Sequence, residues 1–557
     1  MNKIVIKLMM AALFSVFLMS CSDYLDLKPL DSFSEETIFS DIALTEAYVN
    51  ARYIDIKVGF STNDFAHARG QGLRSICDEA YHTFGDQNAY VFNRGELNPD
   101  YTNQYLTWTD YFIAIKNCNI FFESIGKLQG DQRVIDRLIG EVTYIRAFLY
   151  ADLVSRYGGV PIITNVFGIS DDYLTVTRSS YDESVSFILS ELEKAANLLP
   201  VAHSDANFGR ATKGAALALK ARVLLYTASP FWNTNNDRNK WQAAADAAKA
   251  VIDLTNNSTP AYELDADYKG LFLNNRSKEI IFMRIFNDEM RTNFDRNSSP
   301  NGFNGWSQTS VIQNMVDAYE MADGTMPKED EYAPGNTPWQ NRDPRFYASI
   351  VCDGQIFRGR EIEFWVSSGA GASGIDSNLG IDSWNATKSG YTLRKFMDES
   401  ILTVNNNTIS KQPWIYIRLA EMYLNYAEAM FELGNEDEAR KYINLIRNRA
   451  RAGNPDILPD ITVSGQALKE KMQHERRIEL AFEDHRFFDV RRWKIAEVTD
   501  NLPARRLVIV RNETTLEKTY TIELLQERKF FPQHYLMPIS RSELQRAPQI
   551  EQNPGYN

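Results

Sequence analysis

The chain has 557 residues, of which 44% are hydrophobic and 24% are charged, and a formal net charge of −13 at pH 7. These fractions are those of an ordinary globular protein, so we expect a sizeable hydrophobic core. Nucleic-acid-binding proteins carry basic patches, so the acidic balance argues against a nucleic-acid partner.

The first residues have the layout of a secretory signal peptide. Lys3 and Lys7 supply positive charge, and an apolar run from Leu8 to Met19 follows. That run is too short to span a bilayer as a helix. Small Ser20 lies directly before Cys21, and this Leu-x-Ser-Cys pattern resembles the lipobox of bacterial lipoproteins. We therefore predict that residues 1–20 are removed and that the thiol of Cys21 carries a lipid anchor.

Amphipathic helices dominate the prediction for the rest of the chain. Val142, Ile145, Leu149 and Leu153 recur at steps of three and four residues, the spacing of one helix face. This helix must end near Gly158 because a second glycine and a proline follow it. Similar patterns predict helices over residues 104–126, 181–198, 211–228, 239–254, 413–433, 436–451 and 466–483.

Several of these helices come as pairs joined by short turns, which predicts a helical repeat. Residues 215–226 and 241–251 form one loose tetratricopeptide-like pair. Residues 420–446 form a better one, in which the aromatic, small, turn, small and bulky positions are Tyr423, Ala427, Gly434, Ala439 and Ile443. The fold class that we predict is therefore predominantly α, with tetratricopeptide-like helix pairs forming a scaffold.

A loop-rich part runs from residue 257 to residue 412, between a helical part at 21–256 and another at 413–557. It is rich in Asn, Gly, Ser, Asp and Pro and carries short β-prone pieces such as Ile280–Met283. We predict an irregular part with short strands that lies against the scaffold, all within a single body. Long loops held by a rigid scaffold commonly carry binding sites.

Patterns that indicate catalysis, a cofactor or a metal are weak. A GxGxxG match at residues 369–374 is not followed by a predicted helix, as a dinucleotide site requires. The six histidines show no metal-ligand spacing, and no GxSxG elbow is present. We expect no catalytic residue, cofactor or metal site. Cys77, Cys118 and Cys352 are expected to be buried free thiols, with at most one disulfide.

Several segments together resemble the SusD/RagB family, in the right order and over the whole chain. They include Glu141–Pro161, Arg418–Ala429, Arg447–Ala450, Glu475–Trp493 and the ending Gln552–Tyr556. The mature start at Cys21 also fits. One departure is Asp484, which follows Glu483 where the family usually has a glycine.

The resemblance implies a non-enzymatic lipoprotein of the cell outer membrane that captures a nutrient, commonly a glycan. Members of the family work with a SusC-like TonB-dependent barrel, over which the lipoprotein sits as a lid. We therefore expect an oligo- or polysaccharide ligand. The alternatives are the same uptake role for peptides and a secreted carbohydrate-active enzyme, for which we find no catalytic constellation.

Charged residues of the matching segments are expected to form scaffold ion pairs rather than to contact a ligand, because buried charges persist only when they are paired. They are Arg418, Glu421, Arg447, Glu475, Arg477 and Arg486.

The sugar site is predicted from aromatic residues in loops. The flat C–H face of a pyranose stacks on Trp or Tyr, and its hydroxyl groups need polar neighbours. Of the loop tryptophans Trp232, Trp306, Trp339, Trp365 and Trp384, we favour Trp306, with glycines and Asn304 beside it. A second patch over residues 78–90 contains Asp78, Tyr81, His82, Asn88 and Tyr90. The competing interpretation is that such an aromatic residue only packs its own loop down.

Overall fold

The structure, a computed structural model, describes residues 34–60, 72–84, 87–101, 105–168, 170–333, 336, 338–380 and 384–556. The predicted signal peptide and the predicted lipidation at Cys21 lie outside these residues. Helices dominate the described chain, as predicted, and the strands are short and form small sheets.

The helices are α1 (Glu35–Ile38), α2 (Ile42–Arg52), α3 (Gln87–Asn93), α4 (Trp108–Ser124), α5 (Gln132–Tyr157), α6 (Tyr181–Leu198), α7 (Lys213–Ala228), α8 (Arg238–Ile252), α9 (Phe294–Ser298), α10 (Gln313–Val316), α11 (Pro344–Ser349), α12 (Leu419–Glu432), α13 (Glu436–Ala450), α14 (Gly465–Glu479), α15 (Arg486–Arg492), α16 (Ala496–Thr499) and α17 (Arg541–Arg546). The strands are β1 (Ala80–His82), β2 (Thr255–Asn256), β3 (Thr259–Pro260), β4 (Ile280–Arg284), β5 (Thr309–Val311), β6 (Ile350–Val351), β7 (Ile356–Phe357), β8 (Arg360–Glu361), β9 (Val366–Ser367), β10 (Thr392–Leu393), β11 (Trp414–Arg418), β12 (Ala504–Arg511) and β13 (Lys518–Gln526).

Local sequence explains the bounds of helix α5. The side chain of Asp131 accepts a hydrogen bond from the backbone of Arg133 and so caps the N-terminus. Gly158 ends the helix with φ of +78°, a left-handed conformation that glycine adopts without steric cost. The predicted apolar face, including Leu149 and Leu153, is completely buried.

The long helices pack in sequence order, from α4 through α5, α6, α7 and α8 to α12, α13 and α14. Helix α8 contacts both α7 and α12, so the helices on either side of the loop-rich part form one continuous stack. Small side chains allow this close approach, since Ala244, Ala245 and Ala248 of α8 are all buried. Both predicted tetratricopeptide-like pairs are present, as α7 with α8 and α12 with α13.

The prediction of a helix over residues 413–433 is wrong for the first residues of that range. Residues Trp414–Arg418 form strand β11, which pairs antiparallel with β4. All five residues of β11 are buried, and aromatic and β-branched side chains favour a strand in that setting.

The helix predicted to end at residue 483 ends at Glu479. Phe482 and Asp484 both have φ of +65°, which an α-helix cannot accommodate.

The conformation of Asp484 gives a physical reason for the glycine that the resembling family usually has there. Only glycine adopts a left-handed backbone at no cost, although Asp tolerates it better than most residues.

Two further findings concern membranes and cysteines. Within the described ranges, no helix has the length and apolar character needed to cross a bilayer. Cys77, Cys118 and Cys352 are all buried free thiols, which agrees with the first of the two cysteine alternatives.

Candidate functional site

A two-stranded sheet brings the two predicted ligand-binding patches together. Strand β1 pairs antiparallel with β5, and Tyr81 lies opposite Ser310. Beyond the strands, the backbone N–H of Thr83 donates to the carbonyl of Gln308 at 3.1 Å. The loop that follows β1 therefore lies beside the loop that precedes β5, which carries Trp306.

Three aromatic side chains meet at this junction, and we call them the aromatic surface: Phe84, Trp306 and Trp384. The centroid of the Phe84 ring lies 5.9 Å from that of Trp306 and 5.7 Å from that of Trp384. The two tryptophan centroids are 6.0 Å apart, with ring planes at 60°. Trp384 is 57% exposed, and the other two rings are half-buried. The cluster thus presents broad aromatic area to solvent.

Neighbouring residues fix these rings in place. The guanidinium carbon of Arg296, on α9, lies 3.8 Å from the Trp306 ring centroid, a cation–π distance. The backbone N–H of Trp306 donates to the carbonyl of Arg296 at 3.0 Å. Next to Trp384, the side chain of Asn385 donates to the carbonyl of Gly305 at 2.8 Å and ties the two tryptophan loops together. Rings held in this way lose little conformational entropy when a ligand binds.

Tyr81 and Tyr90 form a second, smaller aromatic pair beside β1. Their ring centroids are 5.3 Å apart, and their hydroxyl groups are hydrogen-bonded to each other. Both side chains are half-buried, as is Asn88, which lies with Tyr90 on α3. These three predicted residues stay accessible in part, and their contact with a ligand stays a prediction.

Asp78 and His82 are buried, and their geometry disfavours the predicted contact with a ligand. Both carboxylate oxygens of Asp78 bind the guanidinium of Arg486, and Arg477 lies 3.0 Å away. His82 has no exposed surface, and its Nδ1 lies 2.7 Å from the carbonyl oxygen of Phe84. Asp78 therefore holds the start of β1 to the scaffold, and His82 packs beneath Phe84.

Asn304 is exposed, with a left-handed backbone at φ of +66°. Its side-chain amide donates to the carbonyl of Val404 at 3.1 Å. It lines a groove of about 370 Å³ with Arg358, Arg360 and Thr403. This groove borders the loop of Trp306, so Asn304 remains a candidate for contact with an extended ligand.

Sequence reasoning does not single out Phe84, although Phe84 lies within the predicted patch over residues 78–90, and it does not identify Arg296. Trp384 is one of the five loop tryptophans, but no local pattern ranks it above the others. Of the remaining three, Trp339 and Trp365 are buried, and Trp232 stacks on Tyr181 with centroids 3.6 Å apart. For those three, burial and ring stacking favour the interpretation as packing residues.

The predicted scaffold ion pairs are present, and most of their charged groups are buried. Arg418, the last residue of β11, binds Glu279, Glu479 and Glu483 at 2.6–2.7 Å. It thus ties β11 to the residue before β4, to the end of α14 and to the turn after α14. Burial by itself favours the neutral form of Glu479, but the guanidinium groups of Arg449, Arg418 and Arg345 hold its pKa well below the usual range. The other predicted residues pair as Arg222–Glu421, Arg447–Glu475, Arg477–Asp78 and Arg486–Asp78.

Unlike Asp78, its neighbour Glu79 forms no ion pair within the part of the chain that the structure describes. Burial raises the pKa of Glu79 to about 8. Its Oε1 accepts a hydrogen bond from the backbone N–H of Phe482 at 2.9 Å. The carboxyl group of Glu79 is therefore protonated in the folded protein near neutral pH.

In the described residues, no group of three or more His, Cys, Asp or Glu side chains is arranged to hold a metal ion.

Comparison with known sequences identifies two family profiles in the chain. The profile of the SusD family matches residues 278–556. A second profile, described as starch-binding and associating with the outer membrane, matches residues 23–225. The first alone covers half of the chain, and the two lie one after the other.

Comparison with whole proteins indicates the same family. The crystal structure of a SusD-like protein from Bacteroides fragilis is 30% identical, covers 95% of this chain and all of its own, and has a TM-score of 0.77. The structure of a laminarin-binding SusD-like protein is 21% identical, covers 93% of this chain and all of its own, and shares the fold with a TM-score of 0.63. A SusD-like protein of Formosa agariphila is 24% identical over 86% of this chain and 88% of its own length. The chain therefore belongs to the SusD/RagB family.

Proposed function

We propose that this protein is a cell-surface lipoprotein that captures an oligo- or polysaccharide and delivers it to a SusC-like TonB-dependent outer-membrane transporter. The observation that supports a glycan ligand is the aromatic surface. The ring centroids of Phe84, Trp306 and Trp384 lie within 6.0 Å of one another. The lipid anchor would be attached at Cys21, and the partner is the one that family membership implies.

The aromatic surface suits a sugar in two ways. Trp384 offers an exposed ring on which the C–H face of a pyranose can stack, and this contact buries apolar area without ordering a flexible side chain. Trp306 lies at 60° to it, so two sugar units of a bent chain can each meet a ring. Tyr81, Tyr90, Asn88 and Asn304 lie on the adjoining segments and are the polar partners that we propose for the hydroxyl groups.

The same geometry favours a glycan over a peptide. A peptide is commonly held by main-chain hydrogen bonds to a strand edge or by pockets for its side chains. The exposed tryptophan is instead a flat platform, which a sugar ring matches better. We propose no catalytic role, because the clustered residues are aromatic and the buried carboxylates nearby, such as Asp78, are engaged by arginines.

Binding of the purified protein to starch, laminarin, xylan, mannan, pectin and a peptide mixture tests the ligand class. We expect binding to one polysaccharide, and we expect the double variant Trp306→Ala/Trp384→Ala to bind it at least tenfold more weakly, or about 1.4 kcal/mol. Tyr173→Ala is the matched control, since Tyr173 is 55% exposed at a distant position of the chain. Binding to peptides alone would establish the peptide alternative, and turnover of a polysaccharide would establish an enzyme.

Co-purification tests the partner. A SusC-like TonB-dependent barrel should be recovered with this protein from outer membranes in mild detergent. Recovery of the protein without such a barrel at several detergent strengths would argue against the delivery step.

A further inference from the structure

A second groove, of about 530 Å³, lies between the loop-rich part and strand β13 and shares no lining residue with the aromatic surface. We call it the Tyr520 groove. Its walls come from residues 339–341, from Tyr347 on α11, from the turn between β6 and β7, and from strand β13. The groove is open to solvent, and its lining mixes aromatic rings with short polar groups.

Strand β13 supplies a platform and a charge on the same side. Lys518 and Tyr520 are two residues apart on this strand, so their side chains project from one face. The Tyr520 ring packs against Trp339 with centroids 5.8 Å apart and planes at 82°. This contact fixes the ring, yet Tyr520 stays half-exposed. Its hydroxyl group forms no hydrogen bond with the part of the chain that the structure describes.

The charges in the groove compensate each other. The Nζ of Lys518 lies 2.6 Å from the carboxylate of Asp353, which also accepts the backbone N–H of Phe364 at 2.8 Å. Since the ion pair leaves no net charge, the groove favours a neutral ligand over an ion. An ammonium group has three N–H donors, and within the described residues Asp353 engages one of those of Lys518.

Exposed amides complete the rim. Gln340 and Asn341 are both exposed, and each side-chain amide carries donors and an acceptor that match a sugar hydroxyl group. The Nε2 of Gln355, which also lines the groove, is buried without a hydrogen-bond acceptor among the described residues. One aromatic platform surrounded by neutral hydrogen-bonding groups is the chemistry that recognises a neutral sugar.

We propose that the Tyr520 groove is a second binding site for neutral sugar units, through which one polysaccharide chain is held at two places. This inference rests on the proposed function. The two sites lie within reach of one polymer. Trp384 and Tyr391 are seven residues apart, which limits their Cα separation to about 25 Å. The Tyr391 ring centroid in turn lies 6.0 Å from that of Trp339.

The consequence is a preference for long chains. Once a polymer is bound at the aromatic surface, its binding in the groove is intramolecular, and linked sites of this kind gain about 10²–10⁴-fold in affinity when the geometry permits both contacts. A trisaccharide bound at the aromatic surface gains nothing from the groove.

The test compares a polymer with its trisaccharide on the full-length protein. The probes are the polysaccharide that binds in the panel above and the trisaccharide made from it. We expect Tyr520→Ala to weaken polymer binding at least tenfold and to leave trisaccharide binding at the aromatic surface unchanged. Thr519→Ala is the matched control, because Thr519 is the next residue on β13, is exposed and projects from the opposite face.

Gln340→Ala is the second variant, since it removes an exposed groove amide without touching the packing of β13. We expect it to weaken polymer binding in the same selective way, and we expect the polymer to slow amide exchange over residues 518–520. The inference is overturned if both variants bind polymer like the wild type while Trp384→Ala binds it poorly, a result that leaves the proposed function intact. If the wild type binds no polysaccharide in the panel, the proposed function fails and the second site fails with it.

Discussion

The carboxylate of Asp78 accepts two hydrogen bonds from the guanidinium of Arg486, at 2.7 and 2.8 Å, although the two residues lie at opposite ends of the chain. Asp78 lies directly before Glu79 and strand β1, which carries Tyr81. Arg486 is the first residue of α15. A buried ion pair thus anchors one edge of the candidate ligand site to the helical scaffold, and the orientation of β1 depends on it.

Asp78→Asn should destabilise the fold by about 3–5 kcal/mol, because it leaves the buried charges of Arg477 and Arg486 poorly compensated. Urea unfolding followed by circular dichroism measures the change. Asp205→Asn is the control, since Asp205 pairs with Arg276 on an exposed surface, where such a pair adds little stability. Equal effects of the two substitutions would contradict the role given to Asp78.

Trp384→Phe should retain much more affinity for the bound polysaccharide than Trp384→Ala. Stacking requires a flat apolar face, which phenylalanine keeps and alanine lacks. Titration calorimetry with both variants measures the difference. If phenylalanine were as damaging as alanine, the indole N–H rather than the ring face would carry the contact.

Glu79→Gln should flatten the dependence of stability on pH. Burial raises the pKa of Glu79 from 4.5 to about 8, so between these values the folded protein keeps a proton that the unfolded chain releases. The carboxyl group of Glu79 therefore contributes fully to the free energy of unfolding below pH 4.5, and this contribution is lost as the pH rises toward 8. Glutamine stays neutral in both states and can still accept the Phe482 N–H.

We therefore expect Glu79→Gln to gain stability relative to the wild type when the pH is raised from 5 to 8. Denaturant midpoints measured at pH 5, 6, 7 and 8 test this expectation. Parallel profiles for the two proteins would show that Glu79 does not titrate in that range.

Leu149→Ala should cost about 2–5 kcal/mol of unfolding free energy, because Leu149 is fully buried on the core face of α5 and its loss leaves a cavity. Leu174→Ala is the matched control at a position that is 51% exposed, and we expect a change within about 0.5 kcal/mol. Thermal unfolding of both variants distinguishes the two outcomes.

Cys21→Ala should release the protein from the membrane fraction, because the lipobox thiol is the predicted attachment point of the lipid. Cell fractionation and mass spectrometry of the N-terminal peptide measure the anchor directly. Ser22→Ala is a neighbouring substitution that should leave the protein attached. Membrane retention of Cys21→Ala would show that another feature anchors the chain.

The sequence by itself determined the helical scaffold and its charged core. The apolar spacing in α5 and its end at Gly158 are local signals, so they can be identified without a structure. The paired charges could also be expected, since an arginine such as Arg418 persists in a core only beside carboxylates. The same local spacing misled the prediction at Trp414–Arg418, where pairing with β4 overrides helical periodicity.

Only the tertiary structure decided how the candidate site is assembled. Trp306 and the 78–90 segment were each identifiable as aromatic loops, but nothing in either segment indicates that β1 pairs with β5. Trp384 joins them from a third loop, which Asn385 ties to Gly305. Contacts between distant loops depend on long-range strand pairing and packing. These contacts produce no periodic pattern of residues from which they could be predicted.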